Sequence, residues 1–90
     1  VRLSWEALLQ NEANRRARGE AGWSAEWRKL ELTECDRTKR TQRWREYCCE
    51  SFCDTAAWIV TGVETEVTLA NRWKAGRKTW FSRHRYNWSK

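Results

Sequence analysis

The spacing of apolar residues changes character at Gly62. Before it, apolar residues recur at helical intervals; after it, they alternate with polar ones. Ser4 reads as the N-cap of a first helix, Trp5 to about Gly19, with Glu6 in the first turn where the helix dipole favours an anion. Leu3, Trp5, Leu8, Leu9 and Ala13 supply its apolar stripe. Arg15, Arg16 and Arg18 gather at its end, and Gly19 and Gly22 close it. Ser24 and Glu26 announce a second, shorter helix whose apolar face begins with Trp27 and Leu30. The polar stretch Leu32–Thr41 predicts a break near Cys35. From Thr41 a third helix runs to Gly62, with Trp44, Cys48, Phe52 and Ala56 every fourth residue and Tyr47 and Ile59 beside them.

Beyond Gly62, Val63, Thr65, Val67, Leu69 and Trp73 alternate with Glu64, Glu66 and Thr68, the pattern of a half-buried strand. Lys74-Ala75-Gly76-Arg77 predicts a turn, after which Trp80, His84, Tyr86 and Trp88 alternate with Phe81, Arg83 and Arg85. If Trp73 pairs with Lys78, Val67 faces His84, Thr65 faces Tyr86, Val63 faces Trp88 and Glu66 meets Arg85. One register then sorts aromatics to one face and charges to the other, as cross-strand pairing requires. The expected fold class is therefore α+β: one small domain over residues 1–90, with two or three helices in 1–62 and a basic, aromatic β-hairpin in 63–90. The alternative is an all-α chain ending in a helix from about Ala70, which places Trp73, Arg77, Trp80, His84 and Trp88 on one side.

Composition changes this picture in two ways. Leu, Ile, Val and Phe together make up under roughly 20 % of the chain, the range in which a charged sequence buries too little aliphatic surface to fold unaided. Eight tryptophans compensate, because each carries a large apolar surface and they favour cores and interface anchors alike. Charge is segregated: the segment 69–90 holds seven of the 18 Lys and Arg and none of the 12 Asp and Glu. The net +6 therefore comes from that segment. Arg77, Phe81, Arg83 and Arg85 share one face of the hairpin and are the expected partner-binding residues. Arginines there suit phosphates or acidic side chains, and aromatics suit unpaired bases.

The four cysteines, Cys35, Cys48, Cys49 and Cys53, are candidate disulfide formers. Cys35 joined to any of the other three makes a helical hairpin, and the spacing does not choose among the pairings. Cys49 and Cys53 lie one helical turn apart. With Cys35 and His84 they compose a Cys3His set of the kind tetrahedral zinc takes. The close C-x2-C knuckle is missing, so no cofactor is the leading expectation, with zinc as the alternative. The four glycines are dispersed, which excludes a phosphate-binding loop, and no nucleophile stands in a recognisable setting. No apolar run approaches the roughly 20 residues of a membrane helix.

These features point to a non-enzymatic, basic interaction protein, an accessory structural subunit of a larger assembly, with other protein subunits and RNA as candidate partners and no small-molecule substrate. The start at Val1 rather than Met suggests a removed presequence and an organellar, mitochondrial location. The alternative is a secreted, disulfide-stabilised effector or toxin-like protein.

Overall fold

A computed structural model describes residues 2–84. Five helices follow one another, α1 (Arg2–Asn14), α2 (Trp23–Leu30), α3 (Glu34–Lys39), α4 (Gln42–Thr61) and α5 (Asn71–Arg83), and the described residues contain no strand. The expected α+β architecture is thereby corrected to an all-helical one. Of the hairpin's expected first arm, 63–73, residues 63–70 are irregular and the rest opens α5, which also takes the expected turn and the second arm as far as Arg83.

The longest helix, α4, is the one the sequence outlines best. The Thr41 side chain accepts a hydrogen bond from the Trp44 N–H at its start, and Gly62 closes it at φ 75°, in the left-handed region open to glycine. Its buried positions are Trp44, Tyr47, Cys48, Ser51, Thr55 and Trp58. Relative to the apolar pattern the buried stripe is rotated. Ser51 and Thr55 lie inside, and Phe52, Ala56 and Ile59 are half-buried at the edge.

The shorter helices depart from expectation at their ends. The first helix starts at Arg2, so Ser4 lies within it, and Ser4 Oγ accepts from Trp80 Nε1 at 3.0 Å instead of capping. It ends at Asn14, several residues before Gly19. Arg16 takes the left-handed conformation at φ 58°, the Ala17 N–H reaches the Glu12 carbonyl at 2.9 Å and the Arg16 N–H reaches that of Ala13 at 3.0 Å. That is a Schellman turn with arginine where glycine is usual. Gly22, not Ser24, caps α2. It has no side chain to offer, so Asp54 of α4 supplies the acceptor, its Oδ2 3.1 Å from the Ala25 N–H. The polar stretch after Leu32 forms α3 through a capping box between Thr33 and Asp36.

The segment 63–70 pairs with the chain before α2. The Thr68 N–H donates to the Glu20 carbonyl at 2.8 Å, and the Glu20 N–H donates to Thr68 Oγ1 at 2.8 Å. Gly19 permits this approach: its φ is 83°, and a Cβ there would stand 2.4 Å from the Thr68 carbonyl oxygen.

One core joins α1, α4 and α5 through Trp5, Leu9, Trp44, Tyr47, Cys48, Trp80 and Phe81. Trp5, Phe52, Trp80 and Phe81 meet largely edge to face, with centroid separations such as 5.0 Å for Trp5–Trp80 and 5.6 Å for Trp5–Phe52. A second cluster, Ala21, Trp58 and Leu69, fastens the 63–70 segment to α4. Each buried indole has an acceptor where it needs one: Trp5 Nε1 donates to the Cys48 carbonyl at 3.0 Å, and Trp44 Nε1 to Glu6 Oε1 at 3.1 Å.

Candidate interaction surface

The residues the sequence singled out divide sharply in the folded chain. Arg77 is fully buried. Its Nε and Nη2 donate to the two carboxylate oxygens of Glu12 at 3.0 and 2.8 Å. Its Nη1 and Nη2 donate to those of Glu20, both at 2.7 Å. Nη1 also reaches Ser51 Oγ at 3.1 Å and Thr55 Oγ1 at 3.0 Å. The five guanidinium protons are thus all engaged, in the bidentate geometry that suits arginine and not lysine. Glu20 accepts in addition from the Tyr47 hydroxyl at 2.5 Å, the Ser51 hydroxyl at 2.9 Å and the Ala21 N–H at 3.0 Å. Burial alone would push the Glu20 carboxyl up; the bonds and charge of Arg77, with Tyr47 and Ala21, outweigh it and hold the group at about 2. Burial likewise works against the Arg77 cation, but its bonds to Glu20 and Glu12 raise it well above its ordinary value. This network ties α1, the segment before α2, α4 and α5 together. Its residues come from four separate stretches, and no local pattern announces it.

Phe81 is also buried, in the aromatic cluster. Arg83 is exposed on α5, and Arg85 lies outside the described residues. Arg77 and Phe81 are thereby withdrawn from the expected binding face, because a helix turns Arg77, Trp80 and Phe81 to one side where a strand would have separated Trp80 from the other two.

The cysteines are all free thiols, so the expected disulfides are not made. Cys48 is buried in the core stripe of α4, whereas Cys35 on α3 and Cys49 and Cys53 on α4 are exposed. Burial, with the nearby charge of Glu6 adding to it, pushes the Cys48 thiol far above its usual range. The zinc set does not converge: among the described residues, no three His, Cys, Asp or Glu side chains stand where they could hold a metal ion. His84 stacks on Trp80 at 4.0 Å, and its Nδ1 donates to the Trp80 carbonyl at 2.8 Å.

The surface that remains unexplained by folding is the outer side of α2. This helix packs on α4 with its small and polar side. Ala25 is its one buried residue. Ser24 Oγ donates to Glu50 at 3.0 Å, Arg28 pairs with Glu46 at 3.4 Å and Lys29 donates to the Gly19 carbonyl at 2.8 Å. The opposite stripe, at the i, i+4, i+7 spacing of one helical face, is Trp23, Trp27 and Leu30, and these are 73 %, 60 % and 77 % exposed. They border a groove of about 350 Å³ whose far wall is Thr65, Glu66 and Thr68. On the other side of Trp23, a second groove of about 310 Å³ includes Val63, Asp54 and Trp58. Trp27 and Leu30 are legible as an apolar face in the sequence. The missing signal is which way that face points. Helix propensity and periodicity are indifferent to it, and the acceptors on α4 turn Ser24, Ala25 and Arg28 toward that helix.

Compared with known proteins, the chain matches no family model, no curated relative and no solved structure. No helix among the described residues is long and apolar enough to cross a membrane.

Proposed function

We propose that this chain is a non-enzymatic interaction protein that docks, as an accessory subunit, into a larger assembly through the outer face of α2. The observation that carries the reading is the exposure of Trp23, Trp27 and Leu30 on a single helical stripe. Contiguous apolar patches on monomeric proteins are small, and tryptophan is among the residues that most often dominate binding energy. The chain buries four other tryptophans, Trp5, Trp44, Trp58 and Trp80, so leaving two large indoles in water on one face is a cost that a partner surface would remove. The thin aliphatic core supports the same reading, since stability gained on association supplements a small domain.

The test is native size-exclusion of the chain as isolated from its source. Wild type should elute within a larger complex. A Trp23→Ser/Trp27→Ser variant should elute as a free monomer with an unchanged far-UV circular dichroism spectrum, since neither side chain supports the fold. Wild type eluting as a monomer, or a double variant that stays in the complex, would overturn the proposal.

A further inference from the structure

We infer that the occupant of the α2 groove is a cationic amphipathic helix of another protein; the inference rests on the docking role proposed above. The chain carries a net +6, yet the groove walls invert that sign. The charged residues lining the groove beside Trp27 are Glu26 and Glu66, and those lining the adjoining one are Asp54 and Glu66, with no Lys or Arg in either. None of the three carboxylates takes part in an ion pair among the described residues. Among the described residues Glu26 accepts from a hydroxyl, Thr68 Oγ1 at 2.6 Å. Arg28 is paired with Glu46 and Glu50, and Lys74 with Glu64; Lys29 bonds the Gly19 carbonyl, and its charge reaches Glu26 without an ion pair. An apolar floor between unpaired carboxylates selects a ligand with apolar residues on one side and Lys or Arg along its flanks.

The shape favours a helix. Trp23 to Leu30 spans two turns, about 10 Å at 1.5 Å per residue, and offers the i, i+4, i+7 anchors of helix-in-groove recognition. An extended peptide gains affinity from an open sheet edge, and no strand exists among the described residues. A second copy of this chain fits poorly. A two-fold contact through α2 would set one acidic patch, Glu26 and Glu66, against another copy of itself, and like charges facing one another across an interface oppose association.

The experiment uses the full chain and two synthetic amphipathic peptides with the same leucine face, one flanked by lysine and the other by glutamate, read by fluorescence anisotropy. The lysine peptide should bind at least about tenfold more tightly at low salt, and its advantage should shrink as salt screens the carboxylates. Trp27→Ala should weaken it by about tenfold or more, as truncation of a central aromatic anchor does. A Glu26→Lys/Glu66→Lys variant should reverse the preference. Equal binding of the two peptides would overturn the cationic partner while leaving α2 as a docking face. Binding of neither, with the native complex still dissociated by the Trp23→Ser/Trp27→Ser variant, would overturn the helical occupant alone. Dimerisation of the free chain that the same variant abolishes would identify a second copy as the occupant and overturn the inference.

Discussion

Arg77 shows how a single side chain can change meaning between sequence and fold. In a run of seven cations without an acid, it reads as part of a solvent-facing charge. In the structure it is the most deeply committed residue, because Glu12 and Glu20 approach it from 65 and 57 positions away. Two carboxylates around one guanidinium leave the buried cluster one negative charge in excess. A further cation, Lys29, feels this cluster: burial pulls its ammonium down while Glu20 pulls it up. Removing Arg77 would strand two buried carboxylates, and breaking a buried pair in this way costs about 3–5 kcal/mol. Against a total stability of about 5–15 kcal/mol for a domain, Arg77→Ala should leave the chain marginal or unfolded in a urea titration. Arg77→Lys should also lose much of that stability, since three donors on a point charge cannot replace five in a fixed fork. An unchanged midpoint for Arg77→Ala would mean that the network contributes little.

At the scale of the element, α5 is where two periodicities compete for the same residues. The alternation after Gly62 is real, and the hairpin register it implies is internally consistent. Two observations decide against it. The helix places Arg77, Trp80 and Phe81 together against α1 and α4, where each finds a partner. Gly76, which a turn would use for its conformational freedom, lies on the outside of α5, where a Cβ would meet nothing within 4 Å beyond its chain neighbours and the helix's own backbone, and its φ is not positive. Glycine inside an exposed helix costs about 1 kcal/mol relative to alanine. Gly76→Ala should therefore stabilise the protein by about 0.5–1 kcal/mol in chemical denaturation. In a hairpin turn requiring positive φ the same substitution would destabilise it, so the sign of the change separates the two architectures directly.

For the whole molecule, the buried charges set the response to acid. The folded-state value for Glu20, about 2, lies below its ordinary 4.5. The stabilisation it reflects is fully present above the unfolded value and is lost as pH falls from about 4.5 toward 2. Glu6, lowered by its hydrogen bond to Arg40, acts in the same direction. Asp54, raised chiefly by burial, acts in the opposite one. Denaturation midpoints should therefore drop across that acidic window, by a few kcal/mol in stability. Glu20→Gln should be less stable than wild type at neutral pH, with the gap narrowing toward pH 2; a gap independent of pH would remove Glu20 from this role.

Much of the helical part was legible because its determinants are local. The apolar period from Trp44 and the end at Gly62 needed no knowledge of the rest of the chain, and α4 follows them closely. The placing of Cys49 and Cys53 one turn apart on α4 was likewise fixed by helical geometry. What was not legible shares one cause. The cap that Asp54 gives to α2, the burial of Arg77 and the outward turn of Trp23 and Trp27 each depend on a partner distant in sequence. By itself, then, the amino-acid order determined where most helices lie and how charge and tryptophan are distributed among them. Only the tertiary structure decided which arginine is core and which tryptophans are surface. A buried charge is stable only beside its counter-charges, and a helix face is exposed only if its other face has something better to bind.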